Sequence, residues 1–81
     1  MLIQPNPTTG RTRITLWLTE PQPWTIRILD SNGDQVYTRT QSGERGENHL
    51  QFDLGDAGAG VYAVFVEYGD KRQVRKLVLL R

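Results

Sequence analysis

Cysteine is missing from this 81-residue chain, and histidine occurs only once, as His49. No disulfide can therefore form, and no thiol chemistry is available. A lone histidine argues against a histidine-based metal cluster and against a Ser-His triad within one chain, and we interpret His49 as a surface residue of a strand. No apolar run approaches the ~20 residues of a membrane helix. The opening MLIQPNPTTG has no export signal, so export would require a signal on a longer precursor.

Helical periodicity is also missing, and two-residue alternation takes its place. Apolar runs with turn residues between them recur every ~8–12 residues, which is typical of an all-β sandwich or barrel. The predicted pieces are an extended opening segment and turn at 1–10, strands at 12–18, 24–29, 35–40 and 48–54, and a terminal hairpin at 60–81. The sequence thus predicts one all-β domain spanning 1–81.

The alternation also predicts which side chains face the core. The inward set comprises the apolar residues of one parity in each strand: Ile14, Leu16, Leu18, Trp24, Ile26, Ile28, Leu50, Phe52, Leu54, Tyr62, Val64, Val66 and Tyr68. Val61, Ala63 and Phe65 are apolar on the opposite parity, which predicts a central strand covered on both faces. Two prolines place residues 20–23 outside the sheet, and the polar stretch 41–47 is predicted to be a loop.

Positive charge is concentrated at the end of the chain. Residues 71–81 carry five basic side chains and no acid, whereas the first 70 carry five basic and nine acidic ones, a net charge of −4. The cations either protect an edge strand from unwanted pairing or present it to an acidic receptor or for strand addition. Nucleic acid is a poorer fit, because the whole chain is nearly neutral and has no aromatic–basic RNA motif.

Other candidate sites have simpler structural interpretations. Residues 30–34, Asp-Ser-Asn-Gly-Asp, predict a hairpin turn rather than a calcium loop, because the EF-hand spacing fails. Asp53 and Asp56 are interpreted as residues of a solvated loop. Trp17 and Trp24 are interpreted as packing residues, with stacking on a sugar as the alternative.

Four sequence blocks in a fixed order resemble the C-terminal sorting domain of the type IX (Por) secretion system of Bacteroidetes-type bacteria. They are Pro5-Asn6-Pro7 with Gly10, Trp24 to Asp30 with Asn32-Gly33 and Val36, Gly60-Val61-Tyr62 with Val64 and Val66, and Gly69 with Lys76-Leu77-Val78. Each block is short, but together they cover nearly the whole chain.

The resemblance implies an immunoglobulin-like antiparallel β-sandwich of about seven strands, fused behind a cargo protein. It implies no enzyme activity and no cofactor. The expected partners are the type IX translocon and a sortase-like protease of the outer membrane, and the expected route leads through the periplasm to the cell surface or medium. Translocon recognition is expected at Lys76, Leu77 and Val78. Pro5, Asn6 and Pro7 are expected to fix the junction with the cargo, and the other motif residues are Asp30, Gly33, Gly60, Tyr62 and Gly69.

Two other functions remain open from the sequence. One is a carbohydrate-binding or adhesive module that uses Trp17 and Trp24, and the other is a structural spacer in a surface protein. An exposed terminal strand also predicts a weak edge-to-edge dimer.

Overall fold

A computed structural model describes residues 1–80. Within these residues the chain forms seven β-strands and no helix: β1 Leu2–Gln4, β2 Arg11–Leu18, β3 Gln22–Leu29, β4 Gln35–Gly43, β5 Gly46–Asp53, β6 Gly60–Tyr68 and β7 Lys71–Leu79. This part of the chain accordingly contains no helix that could cross a membrane. Arg81, the last residue of the predicted hairpin, lies outside the described residues.

The strands form two antiparallel sheets. A three-stranded sheet has the order β1-β2-β5, and a four-stranded sheet has the order β4-β3-β6-β7. In an immunoglobulin constant domain the fourth strand joins the first, second and fifth, but here it pairs with the third. The predicted immunoglobulin-like sandwich is confirmed, with β7 as an edge strand of the larger sheet.

The core lies between the sheets and follows the predicted alternation. Every predicted inward residue is buried except Tyr68, which is half-buried at the edge of the core. Three further apolar residues, Ile3, Leu77 and Leu79, complete the core. They belong to β1 and β7, the first and last strands, which lie in different sheets. Both ends of the chain therefore contribute side chains to one core.

The expectation that β6 is covered on both faces is wrong. The strand is interior, between β3 and β7, as predicted. Its outward face is open, however, with Val61 49% exposed and Phe65 half-buried. Because residues 1–80 form only two layers, no third layer within them covers these side chains, and an apolar face remains at the surface.

Two predicted boundaries also change. Residues 20–23 were expected outside the sheet, but β3 begins at Gln22 and Pro23 pairs opposite Ser42. Pairing with β6 begins only at Thr25, so a proline is tolerated where one side of the strand is unpaired.

The predicted loop at 41–47 shrinks to a corner at residues 44 and 45, where the chain passes from one sheet to the other. Asn48 holds this corner, because its side-chain oxygen accepts the Glu44 N–H and its amide donates to the Glu44 carbonyl, both at 2.8 Å. The alternation of polar and apolar residues does not predict side-chain hydrogen bonds of this kind, which take the place of hydrogen bonds between strands.

Candidate functional site

The alternation of β7 separates the three residues expected to recognise the translocon. Lys76 is exposed and Val78 is half-buried on the outer face, whereas Leu77 is fully buried between the sheets. Lys76 lies opposite Ala63, and Val78 lies opposite Val61. Lys76 and Val78 therefore present side chains to a partner of the folded domain, while Leu77 anchors the strand that carries them.

The outward backbone edge of β7 is partly occupied by the opening segment of the chain. The Asn6 side-chain amide donates to the Lys76 carbonyl at 2.7 Å, and its oxygen accepts the Val78 N–H at 3.1 Å. One amide side chain thus makes the donor and acceptor contacts that a neighbouring strand would make. We call this pair of bonds the Asn6 clamp.

The backbone of Thr8 also bonds to the outward edge of β7, next to the Asn6 clamp. Its N–H donates to the Val78 carbonyl at 2.9 Å, and its carbonyl accepts the Leu80 N–H at 2.8 Å. The Thr8 hydroxyl is buried and donates to the Arg11 carbonyl at 2.8 Å. The segment from Asn6 to Thr8 therefore links the edge of the three-stranded sheet to β7.

A shallow depression of about 290 Å³ lies beside Lys76 on the outer face. It is lined by apolar side chains of β6 and β7 and by charged ones: Asp30, Ser31, Val61, Tyr62, Ala63, Val74, Arg75 and Lys76. Val61 and Val74 are 49% and 43% exposed. This is an open apolar surface with a lysine next to it.

Some charged side chains around this surface have a partner within the described part of the chain, and one does not. Arg27 pairs with Glu67, and the Arg72 guanidinium lies over the Phe65 ring, 5.3 Å from its centroid. The Lys76 ammonium has no anionic partner among residues 1–80. The amine of Met1 donates to the Gln73 side chain at 3.3 Å, and burial, reinforced by the charge of Arg75, lowers the pKa of this amine.

The β3–β4 turn explains the motif residues Asp30 and Gly33. The Asp30 carboxylate accepts the N–H groups of Asn32 and Asp34, each at 2.9 Å. Gly33 has a φ of 85°, which strains a residue with a side chain. The predicted hairpin turn is confirmed, and both residues act in the turn.

The β5–β6 loop is held by Tyr62. Its hydroxyl donates to the carbonyl of Gly58, four residues upstream, while its ring lies in the core. This is the tyrosine corner found in immunoglobulin-like sandwiches. Gly60 and Gly69, the other motif glycines, begin β6 and turn the terminal hairpin, both at positive φ.

The two tryptophans have opposite environments. Trp24 is fully buried, so its interpretation as a packing residue is correct and stacking on a sugar is excluded. Trp17 is 52% exposed on the three-stranded sheet, so packing over a neighbouring strand and stacking on a ligand both stay open for it. A binding module that uses both tryptophans is therefore not supported.

The rest of the three-stranded sheet has an ordinary polar surface. His49 is exposed, as predicted, and bonds to Thr15 at 3.1 Å and to Glu47 at 2.9 Å. No group of three or more acidic, histidine or cysteine side chains is placed to hold a metal ion within residues 1–80. The fold and these surfaces define a small β-sandwich of the immunoglobulin-like class whose distinctive feature is the tie between its two ends.

The sequence profile of the secretion system C-terminal sorting domain matches residues 2–80. Because the match covers nearly the whole chain, the protein belongs to this family of type IX secretion signals. The family is one of secretion-signal domains and is not known for enzymes, and membership implies a secreted or cell-surface protein with a fused cargo. No curated protein sequence matches the chain.

The link between Asn6 and β7 could not be found from the sequence. The sequence does contain one relevant signal, since Asn6 stands between two prolines whose nitrogens cannot donate. An amide side chain in such a place is available to replace missing backbone groups, but nothing in the sequence identifies its partner 70 residues away.

Proposed function

We propose that residues 1–81 form one sorting unit that directs a fused N-terminal cargo through the type IX outer-membrane translocon. The cargo first crosses the inner membrane by its own signal and passes through the periplasm. A sortase-like protease then removes the sorting domain, and the cargo reaches the cell surface or medium. The family match over residues 2–80 is the observation that carries this proposal.

Within this unit, the translocon recognises the terminal hairpin at Lys76, Leu77 and Val78. The exposure of Lys76 and the half-exposure of Val78 support direct contact, and the burial of Leu77 supports an anchoring role. Lysine is suited to this position because its flexible stem lies along apolar surface while its ammonium stays solvated.

Pro5, Asn6 and Pro7 fix the junction between the cargo and the domain. The support is the Asn6 clamp, since a segment bound to Lys76 and Val78 has a defined direction as it enters the sandwich. The junction and the recognition strand then lie on one edge of the domain.

The test is a periplasm-directed reporter fused to the chain in a type IX-competent host. The intact fusion is expected outside the cell, and a fusion lacking Gln73 to Arg81 is expected in the periplasm. Export of the truncated fusion would show that the terminal strand is not the signal.

Truncation also removes Leu77 and Leu79 from the core, so a folded variant is needed. Lys76→Ser combined with Val78→Thr keeps both inward leucines. It is expected to retain its melting temperature and lose export, and normal export of this double variant would place recognition elsewhere.

A further inference from the structure

How a partner can bind the terminal hairpin depends on which backbone groups of β7 are already hydrogen-bonded. A partner could bind an edge strand by adding a strand of its own. From Lys76 to Leu80, however, the outward backbone groups are bonded to Asn6 and Thr8. Addition along this stretch would require four hydrogen bonds to break first, two from the Asn6 clamp and two from Thr8.

The remaining part of the edge is short. Arg72 and Val74 have the same parity as Lys76, so their backbone groups also face outward. The Arg75 guanidinium donates to the Val74 carbonyl at 2.9 Å and covers part of this stretch. A charged side chain at an edge opposes pairing with another strand.

The outer face of the hairpin is open by comparison. Val61 on β6 and Val74 on β7 are two of the most exposed large apolar side chains of residues 1–80, and both line the depression beside Lys76. Exposed apolar surface next to polar residues is typical of protein interaction sites.

Charge defines what the partner must carry. Residues 71–80 contain four basic side chains and no acid. Asp30 also lines the depression, but its carboxylate accepts two backbone N–H groups of its own turn. Arg75 also lines the depression, but its guanidinium donates to the Val74 carbonyl at 2.9 Å. The Lys76 ammonium has no such bond within residues 1–80, and a carboxylate on the partner would complement it.

We infer that the outer face of the terminal hairpin docks a protein surface that presents an apolar group to Val61 and Val74 and a carboxylate to Lys76. Recognition is by side chains and leaves the Asn6 clamp closed. This inference rests on the proposed function, because the partner is the component of the secretion machinery that reads the hairpin.

The test compares single variants of the reporter fusion in a type IX-competent host, with the melting temperature of each purified domain as a folding control. Lys76→Glu is expected to reduce export about tenfold, and Lys76→Arg is expected to preserve it. Arg45→Glu makes the same charge change at an exposed corner on the opposite side of the sheet, and it is expected to leave export unchanged.

Val61→Thr distinguishes face docking from strand addition. Val61 belongs to β6, which is paired with β7 along its whole length, so strand addition at the outer edge of β7 predicts no effect and face docking predicts a severalfold loss of export. If the wild-type fusion is exported and both Lys76→Glu and Val61→Thr match Arg45→Glu, docking on this face is refuted while the sorting function stands. A wild-type fusion that stays in the periplasm would refute the sorting function itself.

An anionic lipid surface would also attract Lys76, so the purified domain should be sedimented with phosphatidylglycerol vesicles. We expect no binding above that of Lys76→Glu. Binding by the wild type that Lys76→Glu abolishes would replace the protein partner with a membrane.

Discussion

Asn6 and Val78 are 72 positions apart, and the side-chain oxygen of Asn6 accepts the backbone N–H of Val78 at 3.1 Å. The family block at the start of the chain is thereby bonded to the block at its end. The two blocks resemble separate signals in the sequence, but in the fold they form one edge of the sandwich.

The Asn6 clamp should contribute modestly to stability. Asn6→Ala removes two solvent-exposed hydrogen bonds, so we expect the free energy of unfolding to fall by about 1 kcal/mol. Amide exchange should accelerate at Val78 more than at Val64, which lies inside the sheet. Asn32→Ala, in an exposed turn, is the control and should change neither quantity. Unchanged exchange at Val78 in Asn6→Ala would show that the clamp is not formed in solution.

The tyrosine corner should contribute separately from the ring of Tyr62. Tyr62→Phe removes only the bond to the Gly58 carbonyl and should cost about 1 kcal/mol, whereas Tyr62→Ala also removes a core ring and should cost about 3–5 kcal/mol. Tyr37→Phe is the matched control, because the Tyr37 hydroxyl has no partner within residues 1–80. Denaturant unfolding measures the free energy of unfolding of each variant, which should fall from wild type to Tyr62→Phe to Tyr62→Ala. Equal stabilities of Tyr62→Phe and the wild type would show that the hydroxyl bond of the tyrosine corner does not stabilise the domain.

Gly43 should tolerate no side chain. A Cβ there would lie 2.6 Å from the Gln22 carbonyl oxygen and 2.5 Å from Leu18 Cδ1. Because the neighbouring strand would have to shift, we expect Gly43→Ala to lower the free energy of unfolding by about 1–3 kcal/mol. Gly58→Ala adds the same methyl group where no atom lies within 4 Å, and it should be nearly neutral. Equal melting temperatures for the two variants would show that β3 and β4 approach less closely.

The two tryptophans should respond differently to a quencher. Acrylamide should quench the fluorescence of Trp17, which is exposed, and leave that of the fully buried Trp24 largely unchanged. In Trp17→Phe, the remaining emission should therefore resist quenching. Efficient quenching in that variant would mean that Trp24 is accessible and that its possible role in binding sugars must be reconsidered.

Much of this fold follows from alternation, because a strand with one buried face repeats every two residues. The inward sets of β2, β3, β5 and β6 could be predicted in this way. The open outer face of β6 could not be predicted. Apolar residues such as Val61 and Phe65 give the same sequence pattern whether or not another layer covers them. The corner at residues 44 and 45 was also hidden, because Asn48 replaces the strand pairing with side-chain bonds.

The candidate site shows the same limit. The resemblance points to Lys76, Leu77 and Val78, and strand alternation places Leu77 on the opposite face from the other two. The structure adds which face is inward, since Leu77 is buried and Lys76 is exposed. The contact of Asn6 with this strand depends on how two sheets close on each other, and such long-range geometry has no local pattern in the sequence.

The central claim is that this domain is a sorting signal for type IX export. The most direct measurement is the fraction of a periplasm-directed reporter, fused to residues 1–81, that leaves the cell in paired strains with and without a working type IX translocon. We predict reporter on the surface or in the medium of the competent strain and retention in the periplasm of the deficient one. Equal distribution in the two strains would contradict the claim.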